Sequence, residues 1–205
     1  MNFLAHLFLA GSNQQIRFGN FIGDWVKGNR YKSYAHDVQK GIVMHRFIDH
    51  FTDHHDCIRA SNARLKSRFH KHAGIITDIF YDHLLIENWH IYAKINLGNF
   101  IHGVYKMLIM KYFMLPGELK AIVPIIIANK RLESYSSLDG LHKVFKIMAN
   151  YTSLPNEPWF AIRVLQLYFK EYQNEFNEFF PAILNEVSNR FEVHYGEDYW
   201  EGITD

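Results

Sequence analysis

Apolar residues in this chain recur every three or four positions and nowhere alternate convincingly with period two, a pattern that restricts it to a helical architecture. The clearest run is Ala161, Leu165, Tyr168, Tyr172, Phe176, Phe179, Ile183 and Val187, one apolar stripe backed by a face carrying Glu171, Glu175, Glu178 and Glu186. Helices are expected near residues 2–10, 15–27, 36–53, 56–71, 74–92, 97–112, 117–129, 138–150 and 157–193, the last kinked at Pro181. Asp139-Gly140 lacks strand-like flanks, and no internal repeat is found. Glycine and proline collect at 28–29, 115–117 and 152–158, and none of these segments is long enough to link domains. The reading is an all-α, single-domain multi-helix bundle over 1–205, with 196–205 as an acidic C-terminal extension.

With 205 residues, 48% of them hydrophobic, the chain can build one large core. A membrane span is not expected, because no apolar stretch reaches roughly 18 to 20 residues. The best candidate, Ala121 to Ala128, contains Pro124 and runs into Lys130-Arg131. The run from Asn2 to Ala10 lacks a basic leader and a cleavage site and reads as a mature helix. The single cysteine, Cys57, cannot form an internal disulfide, so a cytoplasmic setting is expected. Residues 1–75 hold eleven Lys and Arg against five Asp, a surplus of six positive charges, whereas the remainder has a surplus of five negative ones. The basic half would attract an acidic partner, a nucleic acid or an acidic protein.

Chemistry concentrates in three places. His45, Asp49 and Asp53 follow one another at four-residue spacing, forming a ridge on one helix face among Ile42, Val43, Phe47, Ile48 and Phe51. Ionised carboxylates in apolar surroundings require a compensating cation or hydrogen bonds, and a divalent metal is one such compensation; a wetted helix face with one His–Asp contact is the alternative. Asp78 and Asp82 repeat the spacing beside His83, where either a cation or a shared proton would relieve their repulsion, or Asp78 could cap a helix starting near Thr77. Asp24 is a lone carboxylate flanked by Gly23 and Gly28. Taken together, these carboxylates and histidines suit a hard or borderline ion such as Mn²⁺, Mg²⁺ or Fe²⁺. His6, on the apolar face of the first helix, reads as a core histidine, and most of the remaining histidines read as surface residues. No phosphate-binding glycine loop, nucleophile elbow or Cys–His pair is present, which leaves hydrolysis by metal-activated water.

The opening Met1-Asn2-Phe3-Leu4-Ala5-His6-Leu7 resembles that of the acyl carrier protein phosphodiesterases. Gly19-Asn20 with Asp24 and Gly28-Asn29, then Gly41-Ile42, Met44-His45-Arg46, Ile48-Asp49, Thr52-Asp53 and Asp82-His83 are similar to that family's blocks in order and spacing. The resemblance implies a fold related to the HD-domain phosphohydrolases, a divalent metal with Mn²⁺ first, and release of phosphopantetheine from holo-acyl carrier protein. In that scheme Asp24, His45, Asp49 and Asp82 hold the metal, with Asp78 or Asp53 as a further ligand or support. His83 is a ligand or general acid/base, and Arg46 stabilises charge developing on phosphate. Lys27, Arg30, Lys32 and Arg59 face the acidic carrier; neither nucleic acid nor membrane is then a partner. The family pattern also leads one to expect an arginine where Met148-Ala149-Asn150 stand. Two rival readings are an HD-type phosphohydrolase acting on a nucleotide or other small phosphodiester, and a non-catalytic helical binding protein whose acids are structural.

Overall fold

The computed structural model describes residues 2–193 together with Tyr195, so the expected acidic extension at 196–205 lies outside the described residues. Among the described residues every regular element is helical, as the periodicity requires. Helix α1 (Phe3–Leu9) leads to α2 (Gln14–Ile22), two short 3₁₀ turns (Gly23–Trp25 and Gly28–Ser33) and the long α3 (His36–His54). Then come α4 (Asp56–Ala63), α5 (Lys66–Phe69), α6 (Ala73–Glu87) and α7 (Trp89–Tyr92). The chain continues through α8 (Leu97–Met110), α9 (Gly117–Ala128), α10 (Leu138–Tyr151), α11 (Pro158–Leu167) and α12 (Phe169–Phe191). Asn13, Asn96 and Ser137 cap α2, α8 and α10 with their side-chain oxygens, satisfying backbone N–H groups that have no partner within the helix.

Three expected helices divide. The segment 56–71 breaks after Ala63, and His70 adopts a left-handed φ of 47°, which no helix accommodates. The segment 74–92 pauses at Asn88, whose side chain donates to the Leu84 carbonyl at 2.8 Å and competes with the helical ladder. The final helix splits at Tyr168, between Leu165 and Tyr172, both fully buried. The apolar stripe is therefore continuous although the backbone is not, and Pro181 lies within an uninterrupted α12.

Aromatic packing of α6 against α12 forms the centre of the core. Tyr81 meets Phe176 and Phe179 edge-on, each with ring centroids 5.6 Å apart, and Phe80 meets Tyr172 at 5.3 Å. At the other end, α2 and α3 touch backbone to backbone. A Cβ at Gly19 would fall 2.1 Å from the Val38 carbonyl oxygen, and one at Gly41 would fall 2.1 Å from that of Ile16. Only residues without a side chain permit this approach, and it brings Asn20 and His45 together across the two helices.

Candidate active site

Where α1, α2 and α3 converge, four side chains form a compact polar knot within the apolar packing. Asn20, fully buried, donates from Nδ2 to the His6 carbonyl at 3.0 Å, which turns its Oδ1 toward two imidazoles. That oxygen accepts from Nδ1 of His6 at 2.8 Å and lies 3.3 Å from Nδ1 of His45, and the two rings stack with centroids 4.2 Å apart. With Nδ1 of both rings committed as donors, each Nε2 is directed to the other side of the knot. There Asp49 Oδ1 lies 3.1 Å from His6 Nε2, and Asp49 Oδ2 lies 3.1 Å from His45 Nε2. Asp24, on the 3₁₀ turn after α2, brings Oδ1 to 3.3 Å from the same His45 nitrogen. Gly23 makes room for this, since a Cβ there would fall 2.3 Å from Cγ of His45.

Burial, followed by the neighbouring His45, lowers the pKa of His6 to about 4, so this ring is neutral. Burial acts on His45 in the same direction, but the Asp24 and Asp49 carboxylates close beside its Nε2 overcome it and raise that ring to about 9. Burial would lift Asp49 as well; the two imidazoles instead hold it well below the usual carboxylate range. The His45 hydrogen bond holds Asp24 low too, against the opposing effect of burial. Yet His45 Nε2 is buried without a hydrogen bond of acceptable geometry, although two carboxylate oxygens lie within 3.3 Å. Two carboxylates crowded on one imidazole nitrogen call for a positive charge between them, which either a proton on Nε2 or a divalent cation in its place supplies. Ligand atoms from His6, His45 and Asp49 all lie within 4.8 Å of one another, a spacing one ion can span. Two imidazoles and carboxylates suit a borderline or hard divalent ion.

The knot opens into a cleft of about 90 Å³ lined by polar His6, Asn20, Asp24 and His45 together with Asn2, Phe3, Phe21 and Trp25. A family model of acyl carrier protein phosphodiesterases matches residues 1–183. This chain belongs to the acyl carrier protein phosphodiesterase family. Relatives bearing that name include one from Yersinia enterocolitica, 25% identical over 93% of this chain and 99% of its own. Another, from Photorhabdus laumondii, is 27% identical over 93% of this chain and 96% of its own, and a third, from Salmonella agona, is 27% identical over 93% and 99%. No solved structure matches the chain.

Within this phosphodiesterase fold, Asp24, His45 and Asp49 come together as the sequence suggested, joined by two residues it did not assign to the site. His6 is buried and hydrogen-bonded, as expected of a core histidine, but its partners are the site itself. Asn20 was legible only as half of a Gly-Asn block; a buried amide beside a histidine that needs a partner is the signal that could have found it. Asp78 lies inside α6, which starts at Ala73, and so does not cap a helix beginning near Thr77. Burial raises its pKa, and the charges of Asp49 and Asp53 act in the same direction, placing it in the electrostatic field of the site.

The Asp82-His83 pair divides. Asp82, fully buried, accepts from the backbone N–H groups of Leu4 at 3.0 Å and Ala5 at 2.9 Å, capping α1 from across the core. His83 places Nδ1 2.7 Å from the Tyr135 carbonyl. Arg46 donates to the carbonyls of Val26 at 2.6 Å and Gly28 at 2.9 Å, fastening the turn that follows Asp24 onto α3. Lys27, Arg30 and Lys32 are exposed on that turn and the next. Arg59 pairs with Asp56 and donates to the His54 carbonyl at 2.9 Å, beyond the C-terminal end of α3. At the position where the family pattern leads one to expect an arginine, Met148 is met instead by Arg131, whose Nη2 lies 3.0 Å from its sulfur.

Proposed function

We propose that this chain hydrolyses the phosphodiester joining a 4′-phosphopantetheine arm to a serine of holo-acyl carrier protein, releasing the arm and the apo-carrier. The observation that carries this reading is the pair of histidine Nε2 atoms gathered with Asp49 and Asp24 oxygens, beside a cleft of about 90 Å³ that His6, His45 and Asp24 line. Such a cleft has room for a group the size of a few water molecules, which a phosphoryl group matches. Sites that engulf a whole small molecule are several times larger, on the order of 300 Å³ or more. A diester presented at the surface of another protein needs to insert only its phosphorus and oxygens, which suits a small cleft. The family name of the relatives points to the same substrate.

In this reading His6, His45 and Asp49 would hold a divalent ion, Mn²⁺ before Mg²⁺ or Fe²⁺, with Asp24 Oδ1 also within 3.3 Å of His45 Nε2. Bound there, the ion would supply positive charge against which phosphoryl oxygens develop negative charge and would make water a better nucleophile. Water oxygen adds to phosphorus, the bond from phosphorus to the serine oxygen breaks, and a proton passes to that oxygen. Asn20 fixes both imidazoles so that Nδ1 donates and Nε2 faces the reaction. Asp78 supports the electrostatics from α6, Asp82 holds the start of α1 and with it His6, and Arg46 keeps the Asp24 turn in place. Lys27, Arg30 and Lys32 lie on the same stretch of chain as Asp24 and attract an acidic carrier.

The direct measurement is the intact mass of holo-acyl carrier protein incubated with the Mn²⁺-loaded protein. Loss of the phosphopantetheine mass is expected, with no comparable turnover of nucleotide diesters. An unchanged carrier mass in the presence of folded, metal-loaded protein overturns the reading.

A further inference from the structure

The cleft has an apolar wall for which phosphoryl transfer itself has no use. Phe3, in the first turn of α1, stacks on Trp25 with centroids 6.4 Å apart and planes 10° apart, and both rings contact Phe21, at 5.5 and 6.4 Å. Phe21 is buried, whereas Phe3 and Trp25 are only partly covered and border the cleft. Partly exposed aromatic rings beside a polar site forgo burial that the core could have provided.

With the phosphoryl group beside His6 and His45 in this small open cleft, the ester substituents extend toward the residues around it. The residues in and after the cleft's lining differ in chemistry. Asp24 leads along the chain to exposed Lys27 and Arg30, which an acidic protein surface complements. The rings of Trp25 and Phe3 in the lining offer dispersion and desolvation to a neutral chain and nothing to a carboxylate. A phosphopantetheine arm is neutral beyond its phosphate, built from amides, methylenes and a gem-dimethyl group.

We propose that Trp25 and Phe3, backed by Phe21, form the platform on which the neutral arm of the phosphodiester lies, and so determine specificity for long-armed substrates. The proposal rests on the phosphodiesterase reading above and assigns the neutral arm of its substrate to the aromatic part of the cleft's lining. Amide planes lie flat on the indole, and the methyl groups exclude water from the mouth beside His6. The platform positions substrate; it exchanges no proton with it.

Affinity for the isolated arm tests this separately from turnover. The Mn²⁺-loaded full chain is titrated calorimetrically with 4′-phosphopantetheine and, in parallel, with inorganic phosphate. Wild type is expected to bind the arm-bearing phosphate more tightly than phosphate alone. Trp25→Ala should erase about tenfold of the arm affinity while phosphate affinity stays within about twofold. With holo-carrier, the same variant should raise KM more than it lowers kcat, and Trp25→Phe should recover most of the loss. If Trp25→Ala is misfolded by circular dichroism, Trp25→Leu and Phe3→Leu give the same comparison with the apolar volume retained. Equal affinity of wild type for both ligands, or unaltered arm affinity in the variants, overturns the platform even where holo-carrier is hydrolysed. Arm binding that depends on Trp25 in a protein that leaves holo-carrier intact sustains the platform and overturns the phosphodiesterase reading.

Discussion

Two regions bury polar groups, and they differ in how completely those groups are satisfied. Between α4, α6 and α12, Arg64 donates to both carboxylate oxygens of Glu175, at 2.8 and 2.6 Å. Ser61 also donates to Glu175, at 2.5 Å, and pairs with the Tyr81 hydroxyl at 3.0 Å, while Tyr172 donates to the Ser61 carbonyl. Each charge there meets its opposite with matched geometry, and the result is a strut. Between α1, α2 and α3 the inventory is unbalanced: two carboxylates surround one buried imidazole nitrogen that makes no acceptable hydrogen bond. A buried charge met by its opposite explains itself as structure, whereas two carboxylates crowded on one imidazole nitrogen call for a cation.

The largest effect expected from this contrast is on activity. His45→Ala should lower hydrolysis of holo-carrier by about 10³-fold or more while the far-ultraviolet helical signal persists. Chelation should lower the melting temperature of metal-loaded wild type, because a ligand bound only to the native state stabilises it, and should not move that of the variant. A chelator-sensitive melting temperature in His45→Ala would break the assignment of the unbalanced knot as the metal centre. Next comes the strut. Glu175→Ala leaves a partly buried guanidinium without its bidentate partner and should cost about 2–3 kcal/mol in a denaturant titration, with turnover per folded molecule preserved. Loss of turnover with little loss of stability would reverse the roles of the two regions.

The same contrast explains what the sequence could show. Four-residue spacing on a single helix made His45 and Asp49 legible as a pair, and apolar stripes made nearly every helix legible. The stripe through Leu165 and Tyr172 concealed the break at Tyr168 because the periodicity continues across it. His6 and Asn20 meet the others only where separate helices cross, and no local period records such a crossing. Asp82 shows the opposite difficulty. Its i, i+4 relation to Asp78 is the one that marks His45 and Asp49, yet its compensation comes from backbone N–H groups more than seventy residues away. A carboxylate that caps a remote helix and one that binds a metal leave the same local trace.

Asp82 gives the third test. Burial, only partly offset by the N–H groups of Ala5 and Leu4, raises its carboxyl to about 7, above an unfolded value of about 3.9. The folded protein therefore retains a proton that the unfolded chain has released. This contribution to stability is fully present below about pH 4 and is lost as pH rises through about 7, at no more than about 1.4 kcal/mol per pH unit. Asp82→Asn should flatten that stretch of the stability profile, measured in chelator so that metal binding does not contribute. An unchanged slope would remove Asp82 from the buried charges that distinguish the α1 corner.

The smallest effect should come from the outermost charges, and it sharpens the comparison by showing where the site ends. Arg30 lies on the turn that Arg46 fastens beside Asp24, whereas Arg59 lies past the end of α3. Nine helical residues separate His45 from His54, to whose carbonyl Arg59 donates, or about 13 Å of axial rise. The Arg59 guanidinium is also already paired with Asp56, an exposed pair of the kind that contributes little to stability. Arg30→Glu should raise KM for holo-carrier about tenfold at low ionic strength, with the difference fading as salt screens the encounter. Arg59→Glu should leave KM within about twofold and turnover unchanged. Equal penalties at both positions would extend the carrier's footprint along the whole of α3 and place its centre away from the Asp24 turn.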